Sequence, residues 1–135
     1  MPLSRQQLID ISVCYFEGCN DHNLTQIMDT FSADCLMRFP AATFIYRGKA
    51  ALEIHFKDFL GTFKTVEFRD YTHIADSESQ SILSYFEVKL MDRYGGEVRM
   101  KNCNIFHLDE AGLFKEIIIY SIRHYNDFFI FNIMI

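Results

Sequence analysis

The sequence predicts an α+β domain in which three N-terminal helices are wrapped by a strongly curved antiparallel sheet, giving a cone. Three observations predict it. Apolar residues recur at helical spacing through most of the first 62 residues, and four long β-branched and aromatic runs follow, separated by turn signals. Half of the 135 residues are hydrophobic, with 14 Phe, 7 Tyr and no Trp, so aromatic rings supply much of the filling. Helices followed by a meander of long strands bury their apolar faces by packing the helices on one face of the sheet, and a curved sheet closed in this way encloses a cavity.

The first helix is read from Leu3 to Cys19, with Ser4 as N-cap ahead of Gln7 and Leu8, Ile11, Cys14, Tyr15 and, at its end, Cys19 on the apolar face. The turn Asn20-Asp21-His22-Asn23 carries side chains that bond their own backbone, and helical spacing resumes from Leu24 to Phe31. Ala33 to Phe39 alternates Cys35, Met37 and Phe39 against Asp34, Leu36 and Arg38, and Pro40 ends this strand by removing an N–H donor. Ile45-Tyr46-Arg47 is a short extended piece, and Gly48 precedes a third helix from Lys49 to about Thr62. Lys64–Ile74, Ser81–Asp92, Glu97–Leu108 and Leu113–His124 are the long strands, with a tight hairpin expected at Tyr94-Gly95-Gly96. The predicted organisation is one domain over residues 1–125 and an apolar tail over 126–135.

Composition excludes several function classes. Thirteen Lys and Arg stand against 18 Asp and Glu, and no basic run interleaves with aromatics, so nucleic acid is not an expected partner. Cys14, Cys19, Cys35 and Cys103 form no CxxC pair and no zinc spacing, which reads as reduced thiols in a cytoplasmic protein. No apolar stretch approaches the roughly 20 residues of a membrane span. No metal-ligand cluster, phosphate cradle or nucleophile elbow appears, so no metal and no cofactor are expected.

The element order, with the local texts NDHNLTQIMDTFSADCLMRFP, YRGKAALEIHFKDFL and NCNIFHLDEAGLFKEIIIY, resembles the nuclear transport factor 2-like superfamily over residues 3 to 125, closest to its SnoaL-like and ketosteroid isomerase-like branch. The resemblance implies a cystatin-like cone with an apolar small-molecule pocket, commonly a homodimer through the outer sheet face. It further implies an isomerase, cyclase or dehydratase acting without cofactor on a carbonyl-bearing apolar substrate. The isomerases work with an Asp base and an oxyanion hole of Tyr and protonated Asp. Carried over one at a time, the Tyr falls at Tyr15, the neutral Asp at Asn104, and the base at Phe39, where no proton acceptor stands. The loss of the base opens an alternative, a ligand-binding or dimerisation module without catalysis; a protein-interaction module using the outer surface is a third reading.

The candidate catalytic set is therefore Tyr15 and Asn104 as hydrogen-bond donors, with His55 or Glu87 moving the proton. Phe39, Phe56, Phe59, Asn102 and Tyr120 are the candidate substrate contacts. Asp70, His73, Glu116 and His124 are further titratable residues of the strand half that could reach the pocket. Each has a structural counter-reading. A Tyr on an apolar helix face is often packing, and His55 beside Phe56 and Phe59 suits a satisfied rim histidine. Asn102 and Asn104 alternate with Phe106 on one side of a strand, which destabilises the fold if both are buried and unpaired. Ile117, Ile118, Ile119 and Tyr120 are apolar on both faces of the last strand, so the face away from the pocket is also expected to be covered, as a dimer would do. The tail DFFIFNIMI is too short to span a membrane and too apolar for water, and is expected to pack on the domain or its dimer mate.

Overall fold

The computed structural model describes residues 2–123, and side chains up to residue 122. The expected tail 126–135 and His124 lie outside the described residues.

Helix α1 spans Arg5–Asn20 and opens on a reciprocal cap: the Ser4 hydroxyl accepts from the Gln7 amide, and the Ser4 amide donates to the Gln7 side chain at 2.8 Å. Its buried face is Leu8, Ser12, Tyr15, Phe16 and Cys19, one step round from the expected face. Cys14 is exposed, because the bulk of Phe16 turns that side of the helix into the core instead. Gly18 is required by close approach: a Cβ there would meet Ile27 Cγ1 at 3.0 Å. Helix α2 is a short Leu24–Met28, capped by Asn23, and ends earlier than its spacing suggests because Phe31 joins the sheet.

Strand β1 runs Phe31–Phe39, and after a 3-10 turn at Pro40–Ala42 strand β2, Phe44–Arg47, returns antiparallel to it. Helix α3 covers Lys49–Thr62. Strands β3 (Phe63–Asp76), β4 (Ser81–Asp92), β5 (Glu97–Leu108) and β6 (Phe114–Arg123) complete an open, curved sheet in the order β2-β1-β6-β5-β4-β3. All neighbours are antiparallel except β1 and β6, which run parallel, so the C-terminal ends of both strands lie at the same end of the sheet. That end is where the site lies.

The core sits between α1, α3 and the inward face of the sheet. On β5 the inward residues are Val98, Met100, Asn102, Asn104, Phe106 and Leu108, and on β4 they are Ile82, Ser84, Phe86, Val88 and Leu90. Strand β3 breaks its own alternation with a bulge between Arg69 and Thr72, where Asp70 takes φ 57°. The extra residue shifts parity, so Val66 and Phe68 face inward before it and Tyr71, His73 and Ala75 after it. Asn20 at the end of α1 holds this bulge by accepting from the Phe68 amide at 2.8 Å and donating to its carbonyl at 3.0 Å.

Candidate functional site

An apolar cavity of about 70 Å³ opens where α1 and α3 part over the β1–β6–β5 end of the sheet. Helix α1 supplies Tyr15 and Cys19; α3 supplies His55, Phe56 and Phe59. The sheet supplies Met37 and Phe39 from β1, Phe68 from β3, Leu90 from β4, Asn102 and Asn104 from β5, and Ile119 and Ser121 from β6. Among the sequence candidates, Tyr15, Phe39, His55, Phe56, Phe59, Asn102 and Asn104 thus meet around one space.

Tyr15 is locked by rings. Phe16, Phe31, Phe56, Phe106 and Phe114 surround it edge-on with centroids 5.2–6.0 Å away. Each such pair adds about 0.5–1.5 kcal/mol beyond burial, so the phenol has a single position. Desolvation holds its hydroxyl protonated well above the usual phenol range, and its polar neighbour is Cys19, whose own thiol burial pushes up to about 12. A thiol is a weak acceptor, so the Tyr15 O–H can be given up to a better one.

His55 stands at the mouth, packed between Tyr46 at 4.6 Å, Phe56 at 5.2 Å and Phe39 at 5.7 Å between ring centroids. Burial among these rings holds its imidazole down to about 4, against a smaller opposing pull from Asp58. At neutral pH the ring is uncharged and keeps one bare lone pair. Across the cavity Asn102 and Asn104 are buried, and neither amide oxygen has a hydrogen-bond partner.

Two candidates lie elsewhere. Glu87 is on the outer sheet face, since β4 alternates it against Phe86 and Val88, and it pairs there with Lys101 at 3.4 Å. Tyr120 also faces outward and is 42% exposed, because its neighbours Ile117 and Ile119 take the inward positions of β6. Glu116 pairs with Arg38 on the same outer face, and Asp70 is exposed at the bulge. His73 points inward but away from the cavity, its Nδ1 2.7 Å from Ser84 Oγ. Among the residues that sequence reasoning missed are Cys19, Met37, Phe68, Leu90, Ile119, Ser121 and the supporting Tyr46. Ser121 was findable: it follows Ile119 by two on β6 and lies opposite Asn102 in the ladder. Among the described residues no group of three or more His, Cys, Asp or Glu could hold a metal, and no helix is long and apolar enough to cross a membrane.

The family model of the SnoaL-like domain matches residues 14–117, which is most of the chain and takes in the cavity residues of α1, α3, β1, β3, β4 and β5, stopping short of Ile119 and Ser121 on β6. The chain belongs to the SnoaL-like domain family. Its fold recurs in a candidate polyketide cyclase from Xanthomonas campestris pv. campestris, at TM-score 0.77 and 15% identity over 86% of this chain and 90% of that one. A candidate ketosteroid isomerase from Kribbella flavida matches at TM-score 0.73 and 15% identity over 90% and 82%. A protein with a cystatin-like fold from Methylobium petroleophilum matches at TM-score 0.68 and 21% identity over 90% and 79%. At these identities the likeness concerns the fold. No curated protein matches the chain. The SnoaL-like fold here thus keeps the expected α+β architecture, as an open sheet.

Proposed function

We propose that this SnoaL-like domain binds a small apolar carbonyl compound in its cavity and moves a proton on it without a cofactor, as an isomerase, cyclase or dehydratase. Tyr15 and the amide of Asn104 donate to the carbonyl oxygen, and His55 takes the proton from the neighbouring carbon and returns it. Asn102, Phe39, Phe56 and Phe59 are the contacts that hold the substrate.

The observation that carries this reading is the neutral His55 at the mouth of the cavity that Tyr15 and Asn104 line. Phe39, where the resemblance puts the missing base, is its ring neighbour. A base held at about 4 is comparable in strength to an ordinary carboxylate. Positioned base catalysis contributes roughly 10²–10⁴-fold, so a relocated base restores what Phe39 removes. The test is hydrogen–deuterium exchange at the α-carbon of small cyclic ketones, followed by NMR, with wild type and His55→Gln. Loss of exchange with retained ketone binding supports the assignment; equal exchange in both sinks it.

The second reading, a ligand-binding module without turnover, draws on Phe39 in the cavity wall, and the same experiment decides for it if ketones bind but no exchange exceeds the solvent rate. For a partner, a second copy of the chain suits the outer sheet face. Ile74, Leu83, Ile105 and Ile118 follow one another across four strands, beside the row Tyr85, Cys103 and Tyr120. Cytoplasmic residence is in keeping with four free cysteines.

A further inference from the structure

Asn102 and Asn104 project from β5 into the cavity with 7% and 2% of their surface exposed, and both Oδ1 atoms are without a hydrogen-bond partner. A desolvated, unpaired acceptor costs about 1–3 kcal/mol, so two of them side by side are a liability that packing alone does not explain. Alternation along a strand puts them about 7 Å apart on one face, as a short acceptor stripe. Their surroundings offer little relief. Ser84, opposite Asn104, already has its hydroxyl engaged with His73 at 2.7 Å, and the facing walls are Phe59, Phe68 and Leu90. The terminal torsion of Asn is soft, so each amide can turn toward an arriving group.

We propose that the cavity recognises a ligand through a hydroxyl that donates to one of these amide oxygens, which makes the substrate class a small hydroxy-carbonyl compound. The carbonyl half rests on the reading above, with its oxygen at Tyr15; the hydroxyl half rests on the stripe alone. A ligand that enters without donating leaves both oxygens bare. At about 70 Å³ the cavity is small beside the roughly 300–1,000 Å³ of a drug-sized site. It therefore encloses one short functional segment or a single small ring, and a fused polycycle does not fit. Any remainder lies outside the cavity, beyond the mouth where His55 packs on Tyr46.

The test compares three molecules of matched size, cyclopentanol, cyclopentanone and methylcyclopentane, by NMR titration of wild type and of Asn102→Leu/Asn104→Leu. One net hydrogen bond gives the alcohol an advantage over the hydrocarbon of roughly 2- to 13-fold in wild type. The double variant abolishes that advantage while binding the hydrocarbon at least as well. An alcohol no better than the hydrocarbon in wild type overturns the proposal, as does a preference that survives both substitutions. The wild-type ratio decides even if the double variant does not fold. Alcohol-selective binding without proton exchange removes the proposed reaction and leaves this inference standing. A ketone that binds better than the other two, with those two alike, does the reverse; binding of all three without preference, or failure of all three to bind, removes both.

Discussion

The rings of Tyr46 and His55 lie 4.6 Å apart and inclined at 41°, so a residue of the short strand β2 holds the imidazole at the cavity mouth. This contact, with Phe39 and Phe56 on other sides, is what strips water from His55 and lowers its proton affinity. A consequence follows for stability. The unfolded chain titrates its histidine near 6.5, the folded one at about 4. Above pH 6.5 both states are neutral and nothing is lost. Between 6.5 and 4 the unfolded state takes the proton first, so stability falls, and below 4 the loss saturates at about 3 kcal/mol. Urea denaturation at pH 7, 5.5 and 4.5 should show this slope in wild type and a much shallower one in His55→Phe. His73, lowered by the same cause, contributes in the same direction and remains in both proteins. An unchanged slope would mean that His55 is solvated.

Phe39 gives a second prediction. Its ring is 5.7 Å from that of His55, so Phe39→Asp puts a carboxylate within reach of the imidazole and of the cavity. The anion favours imidazolium, so the His55 pKa should rise, while the carboxylate supplies a base of its own. Alpha-proton exchange on a bound cyclic ketone should increase at least tenfold over wild type, toward the roughly 10²–10⁴ typical of base catalysis. NMR titration of the His55 ring protons and the exchange rate check the two halves separately. No gain in exchange with a raised His55 pKa would show that position 39 neighbours the site without occupying the base position.

Much of this architecture could be read beforehand, and the failures have specific causes. Strands β4 and β5 begin and end at the predicted residues because turn chemistry bounds them, Asp76 to Gln80 before β4, Tyr94-Gly95-Gly96 between the two and Asp109 to Gly112 after β5. The stripe of Asn102 and Asn104 was readable because Met100 and Phe106 flank it at spacing two. Tyr120 was not, since four consecutive apolar residues on β6 leave parity open, and only the pairing of Ile117 and Ile119 with Phe106 and Asn104 resolves it. Glu87 was misjudged although Phe86, Val88 and Leu90 already placed it outward; its partner Lys101 emerges only with the β4–β5 register. The bulge in β3 was invisible because Asp70 at φ 57° looks like any strand residue in a one-letter sequence.

That bulge makes a third prediction. Asn20 bonds both the amide and the carbonyl of Phe68, and the Tyr71 hydroxyl donates to the same carbonyl at 2.7 Å. Asn20→Ala removes two of these three bonds and should destabilise the domain by about 1–3 kcal/mol. Asp70→Gly should act oppositely, by up to about 1 kcal/mol, since glycine adopts positive φ without the side-chain penalty. Chemical denaturation measures both. Hydrogen exchange at the Phe68 amide separates local from global effects, because it should accelerate in Asn20→Ala beyond what the global loss explains.

The outer face supplies the last prediction. Ile74, Leu83, Ile105 and Ile118 are paired in register across β3, β4, β5 and β6, so with strands about 4.8 Å apart they form an apolar bar roughly 14 Å long. Tyr85, Cys103 and Tyr120 form a parallel row one step along, with Tyr85 and Tyr120 38% and 42% exposed. The bar is bordered by charge, Glu87 with Lys101 on one side and Arg38 with Glu116 on the other. The Arg38 pair is an ion contact only: Nε stands 3.0 Å from Glu116 Oε2 but makes no hydrogen bond. An apolar centre with a charged margin has the composition of a protein interface, and a second copy presents the same pattern to itself. Ile105→Lys, at the middle of the bar, should shift a sedimentation-equilibrium mass from dimer to monomer. Arg99→Ala, on the same strand outside the bar, should leave it unchanged. If wild type sediments as a monomer at tens of micromolar, the second-copy assignment for this face is wrong.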